Sequence, residues 1–314
     1  MASISTYDDT LNSSIEEPGV TGSIIAQLCG NGLVLDDWKG YYFSSNCTKF
    51  IDNFGKFKII KKILNEDESK PNLVAMAGFS EKSFCASTRV IVENLHKIQD
   101  IFNCVYIICF DEKVFKDYQS NACRIRDDRI YREAIIRNNK GALTKEISLL
   151  RELTPEEVIK EKEVYNEIYQ SEIELNELLG IVVDKLIRCA KITNVHLLGK
   201  CAGGGVAIHT FTKSNIYKAL YLAVPASPTN VEHLITTKLE GRKIIIAWDK
   251  RDAYPFNWGL SNQEMASYKR TLTELNADYS VYEFNAGNPD PKIYHEIPDQ
   301  LFDKIAESFT PLKI

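Results

Sequence analysis

The sequence predicts an α/β fold in which a mostly parallel central sheet carries helices on both faces. Three observations carry that expectation. From Pro71 onward, apolar runs of strand length alternate with segments of helical periodicity, the pattern of β-α units around a parallel sheet. The strand-length runs are continuously apolar rather than alternating, as strands covered on both faces require. One of them, "VHLLGK", breaks directly into a glycine-rich helix start, "CAGGGVAIHTF". A chain of 314 residues can bury a sizeable core, as one large domain or two modest ones.

In chain order, residues 1–20 have no basic n-region and no apolar stretch, so they do not read as a secretory signal and are expected to form a polar arm. The core then begins, and residues 22–64 read as strands and turns, with "GSIIAQLC" and "KFIDNFGKFKIIKKIL" as the apolar segments. "NLVAMAGF" (72–79) is a buried strand, "SFCASTRVIVENLHKI" has helical spacing, and "CVYIICF" (104–110) is the next strand, ending at Asp111. Residues 112–172 interrupt the alternation. They are charged and poor in glycine and proline, and are expected to form a helical cap inserted over the C-terminal edge of the sheet; an ordinary crossover helix with a long loop is the alternative. A helix start is written in "TPEE", with Thr154 as N-cap, Pro155 at the first helical position and Glu157 three residues after the cap. Apolar residues at helical spacing continue to about 190. "NVHLLG", "YKALYLAVP", "RKIIIAW" and "YSVYEF" supply four more strands, and an amphipathic helix closes the chain, so the core is expected over 21–111 and 173–314.

A net charge of −5 gives no reason to expect nucleic-acid or anionic-membrane binding, and the basic clusters at 56–62 and 123–132 are short and interleaved with apolar or acidic residues. No apolar run approaches the roughly 20 residues that span a bilayer. The eight cysteines show neither a CxxC pair nor Cys/His zinc spacing, and most sit among apolar neighbours, as in "NCVYIICF". A reducing cytoplasm fits that usage.

The chemistry concentrates at "GKCAGGG" (199–205). A dinucleotide fingerprint fails because cysteine stands where the second glycine belongs, and the P-loop Lys-Ser/Thr is missing. What matches is Gly-x-nucleophile-x-Gly: Gly199, Lys200, Cys201, Ala202, Gly203. In such an elbow a buried strand turns abruptly into a helix, and small residues two before and two after the apex let strand and helix pass closely. Cys201 would then sit at a helix N-terminus, where partial positive charge stabilises a thiolate. The alternative is a glycine-rich helix start holding a buried, inert cysteine. Downstream, a strand precedes Asp249 and Asp252, and a later strand precedes a loop with His295, giving the order nucleophile, acid, histidine.

These residues resemble the α/β-hydrolase superfamily, and "GKCAGGG" is similar to the Gly-x-Cys-x-Gly-Gly elbow of its dienelactone-hydrolase-like branch. The resemblance covers roughly residues 70 to 310 outside the insertion. It implies Cys201 as nucleophile, His295 as general base and Asp252 as the acid that orients the imidazole. "AGFS" (77–80) resembles the loop after the third strand, so the resemblance implies backbone N–H groups of Phe79 and Ala202 as an oxyanion hole. Two departures stand out: Ala77 replaces the usual histidine of that loop and Asp249 replaces the glycine of the acid loop. Trp248, Tyr254, Phe256 and Trp258 cluster beside the acid loop, either lining an apolar pocket or packing in the core. His196 and His209 read as packing or surface histidines.

The resemblance implies an enzyme that hydrolyses a small-molecule ester, thioester or lactone through an acyl-enzyme, with no metal or organic cofactor. A non-catalytic binding protein on the same fold, and an acyltransferase, are the competing expectations.

Overall fold

In the computed structural model the structure describes residues 11–16, 21–30, 32–47, 56–78, 81–110, 154–225, 234, 238–249, 262–284 and 296–309. Their strands are β1 (Leu11–Glu16), β2 (Lys39–Cys47), β3 (Lys56–Ile63), β4 (Asn72–Met76), β5 (Cys104–Cys109), β6 (Val195–Lys200), β7 (Tyr217–Ala223), β8 (Lys243–Trp248) and β9 (Asp278–Glu283). All nine join one sheet in the order β1-β2-β3-β5-β4-β6-β7-β8-β9. β1, β2 and β3 pair antiparallel, and β3 also meets β5 antiparallel; every pairing from β5 to β9 is parallel. The mostly parallel sheet read from the sequence is present.

Helices cover both faces because the central strands are apolar on both. Along β4, Leu73 and Ala75 point into one layer while Val74 and Met76 point into the other, as the two-residue period of a strand dictates. One layer holds α4 (Pro155–Cys189), α5 (Ala202–Lys213) and α6 (Asn262–Glu274). The opposite layer holds α1 (Thr21–Gly30), α2 (Glu81–Glu93), α3 (Leu95–Ile98) and α7 (Asp299–Glu307). α5 is buried on every side from Gly203 to Phe211, since α4 lies over the face that the sheet does not cover. Gly180 of α4 permits that approach: a β-carbon there would stand 2.6 Å from the His209 Cβ.

Two buried polar groups hold this core together. The Arg242 guanidinium donates to the carbonyls of Tyr217 (2.9 Å), Phe211 (2.5 Å) and Lys238 (3.2 Å), and stacks 3.5 Å from the Phe211 ring centroid. It thereby takes up the Phe211 carbonyl in the last turn of α5, and burial lowers its pKa to about 10. His196 of β6 is only 7% exposed; its Nδ1 lies 2.8 Å from the Tyr221 hydroxyl, and its ring stacks on Phe309.

Three features depart from the sequence reading. "GSIIAQLC" lies in helix α1, not a strand: Ile24 and Leu28, one turn apart, are both buried. Residues 11–16 of the expected polar arm form β1, a sheet edge that needs no apolar face of its own to pair with β2. The boundary at 172/173 falls inside α4, which runs unbroken from Pro155 to Cys189 and begins where "TPEE" predicts. Residues 112–153 of the expected cap, and residues 1–10, lie outside the described residues. Among the described residues, no helix is long and apolar enough to cross a membrane.

Candidate active site

The parallel register aligns the C-terminal ends of the central strands on one edge. Met76 is level with Gly199, Lys200 with Ala223, Ala223 with Ala247 and Trp248 with Glu283. Whatever follows β4, β6, β8 and β9 therefore leaves from the same edge. Ala77, Cys201, Asp249 and Phe284 are those first residues. With strands about 4.8 Å apart, the ends of β4 and β6 are neighbours, and β8 lies about 10 Å beyond β6.

Cys201 sits between β6 and α5 as N-cap, with φ 55° and ψ −128°. A positive φ is rare for a residue with a side chain and costs on the order of 1–3 kcal/mol. Two hydrogen bonds hold it: the Cys201 N–H donates to Ala223 O (3.1 Å), and its carbonyl accepts from the Gly204 N–H (2.9 Å). The flanking glycines are required by contact. A β-carbon at Gly199 would lie 2.6 Å from Gly203 O and 2.6 Å from Gly204 Cα; one at Gly203 would lie 2.6 Å from Ala77 O, and one at Gly205 would collide with the Asn176 amide. The glycines thus let α5 start directly against the ends of β4 and β6.

The consequence is a thiol at the positive end of a helix. Cys201 is 9% exposed, and Ala202 opens α5, whose first N–H groups helix geometry leaves without intrahelical acceptors. A second strained residue adjoins it. Val224, fully buried at φ 42°, donates its N–H to Ala247 O (2.9 Å) and turns the chain so that Pro225 closes over Gly204.

Of the other residues singled out from the sequence, Phe79, Asp252, Tyr254, Trp258 and His295 lie outside the described residues. Asp249 is described and is 1% exposed directly after β8. Trp248 is 5% exposed and belongs to the layer of α4, α5 and α6. A cavity of about 280 Å³ opens on the other face, lined by Ala247, Tyr282, Phe284, Leu301 and Lys304. His196 lies five residues before Cys201 along an extended strand, about 16 Å away at 3.3 Å per residue. His209 packs under Gly180. Neither histidine belongs to the strand-end edge.

One contact escaped the sequence reading. Lys200, 3% exposed, ends β6, and its Nζ lies 3.7 Å from Glu296 Oε2. The chain that leaves β9 at Phe284 therefore returns at residue 296 beside the elbow. A lysine closing an otherwise apolar strand run was the signal available in "VHLLGK".

No protein-family model matches the chain, and no curated protein matches its sequence. Solved structures are similar to it at low identity. Dienelactone hydrolase from Anabaena variabilis is 12% identical with a TM-score of 0.44, over 87% of this chain and 95% of that one. An alpha-beta serine hydrolase homologue from Coxiella burnetii is 9% identical with a TM-score of 0.42, over 82% and 93%. An uncharacterised protein from Capnocytophaga ochracea is 9% identical with a TM-score of 0.42 over 81% of this chain, which spans 60% of that protein's length. The chain's own strand order, its antiparallel β3 and the β6–Cys201–α5 turn give it the α/β-hydrolase fold.

Proposed function

We propose that the protein is a hydrolase of small-molecule esters, thioesters or lactones, with Cys201 as nucleophile, His295 as general base and Asp252 as the carboxylate that orients the imidazole. The observation that carries the reading is the backbone of Cys201. A buried cysteine needs no strained φ to pack, whereas a nucleophile presented at a helix N-terminus does. The position of Glu296 beside Lys200 supports His295 as its partner, because one peptide bond joins the two residues.

In this reading His295 takes the thiol proton as the Cys201 sulfur attacks the carbonyl carbon. The oxyanion is held by the N–H groups of Ala202 and Phe79, each such donor contributing about 3 kcal/mol to barrier lowering. Collapse expels the leaving alcohol or thiol, which carries off the proton from His295. Water, deprotonated by His295, then attacks the thioester and releases the acid and the Cys201 thiol. An acyl acceptor other than water would make the same site a transferase. Cysteine usage, eight residues without a CxxC pair, supports a cytoplasmic setting in which the thiols stay reduced.

One observation favours a variant of the acid assignment: Asp249, not only Asp252, follows the acid strand, and it is buried. The test of the main reading is to label the intact protein with a fluorophosphonate or an activated p-nitrophenyl ester and map the adduct. Stoichiometric modification at Cys201 is expected, phosphonylation with loss of fluoride or acylation with loss of p-nitrophenol, and it is lost in Cys201→Ala. An adduct elsewhere, or none while the fold is intact, overturns the reading.

A further inference from the structure

We propose that the Lys200–Glu296 ion pair straps the chain entering α7 to the end of β6, which makes Lys200 a positioning residue for the general base that the functional reading assigns to the preceding residue, 295. The inference rests on the reading of Cys201 and His295 above. Lysine is almost never fully buried without a partner, yet Lys200 is 3% exposed in the last position of a central strand. Leu197 points into the α4–α5–α6 layer and Leu198 into the other, so Lys200, two residues on, follows Leu198 toward the α7 side. Glu296 meets it there. The Glu296 side chain is 38% exposed overall, but its Oε2 is buried and accepts no hydrogen bond among the described residues; it lies 3.7 Å from the ammonium. One carboxylate oxygen is thus turned inward toward the ammonium, while the rest of the side chain reaches solvent.

The base of the strap is rigid. Ile297 is 3% exposed, and α7 follows at once, held by Asn94 Nδ2 donating to Asp299 Oδ1 (2.9 Å) and by Lys97 Nζ at 2.9 Å from Asp303 Oδ1. With α7 held by Asn94 and by Lys97 of α3, the ion pair sets where residue 296 stands relative to the end of β6. A buried ion pair is a poor device for stability, since apolar side chains of similar size serve as well or better. It is a good device for register, because a placement of residue 296 elsewhere would take this carboxylate away from a buried ammonium.

The experiment compares wild type with Lys200→Met, Lys200→Arg and the near-isosteric Glu296→Gln, using p-nitrophenyl acetate turnover and the pH dependence of iodoacetamide alkylation at Cys201. The strap requires about a tenfold loss of kcat at unchanged KM in both Lys200→Met and Glu296→Gln, with partial rescue in Lys200→Arg. A purely electrostatic role would instead move the alkylation pH profile in opposite directions in Lys200→Met and Glu296→Gln, and that result overturns the proposal. So does a lowered Tm with kcat unchanged per folded molecule. Hydrogen exchange over residues 296–300 separates this proposal from the functional reading. If wild-type Cys201 fails to acylate, faster exchange in Lys200→Met still supports the strap, and unchanged exchange refutes it.

Discussion

Acidification from pH 7 to pH 4 should remove about 3 kcal/mol of stability through His196 alone. Its imidazole is enclosed by the Tyr221 hydroxyl, the stacked Phe309 ring 5.4 Å away and the edge of Phe102 at 5.5 Å. Burial disfavours the imidazolium there and lowers the pKa from 6.5 to about 4. Above pH 6.5 neither the folded nor the unfolded chain is protonated at this residue, and its contribution is level. Between 6.5 and about 4 the unfolded chain takes up a proton that the folded chain refuses, so stability falls as pH falls. Each tenfold difference in proton affinity is about 1.4 kcal/mol, which over this interval gives about 3 kcal/mol. Below about pH 4 both states are protonated and the loss stops. Urea unfolding followed by tryptophan fluorescence at half-unit steps, for wild type and His196→Gln, isolates the term because glutamine retains a hydrogen-bonding group opposite Tyr221 without titrating. The wild-type minus variant difference should decline across that window. A difference curve that stays flat from pH 7 to 4 refutes the argument.

Gly203→Ala should destabilise by about 2 kcal/mol and disturb the elbow, because the new methyl meets the backbone carbonyl of Ala77. Gly204→Ala, whose β-carbon would make ordinary 3.4 Å contact with Pro225, should be neutral or stabilising through helix propensity; equal unfolding midpoints for the two would count against the contact argument. Arg242→Met leaves the Phe211, Tyr217 and Lys238 carbonyls short of a donor and should cost about 3–5 kcal/mol in denaturant titrations, with Arg242→Lys recovering only part. Asp252→Asn should lower kcat by about four orders of magnitude through the wrong imidazole tautomer. Asp249→Asn, at a carboxylate 1% exposed, should lower Tm while leaving kcat within about tenfold; the reverse ranking of kcat assigns the acid to Asp249.

What was legible in the sequence follows from how each feature is encoded. β4 to β9 are short apolar runs closed by turns, and "GKCAGGG" puts contact-driven glycines around one apex, so both are local patterns. α1 was misread because ten residues with Ile24, Ile25 and Leu28 satisfy a strand template as readily as a helix one. β1 was missed because "LNSSIE" pairs through its backbone at an edge and carries no apolar alternation. The Arg242 clamp engages carbonyls, which every residue has, and so leaves no side-chain signature. The Lys200–Glu296 contact joins two distant segments, and only the closing of the sheet brings them together.

The pairing of β4 with β6 also dictates when the thiol becomes special. Gly203 rests on the Met76–Ala77 carbonyls, while Asn72 Nδ2 bonds the Thr193 carbonyl across 121 residues of sequence. The strained turn at Cys201 has one local hydrogen bond, from Gly204, and the rest of its support must await a long-range closure, a slow, entropically costly class of folding event. During synthesis the chain carries an ordinary cysteine at this position until β4, already made, is met by β6. Under the proposed assignment, reactivity at Cys201 would report completed sheet assembly, and a partly folded chain would be spared acylation.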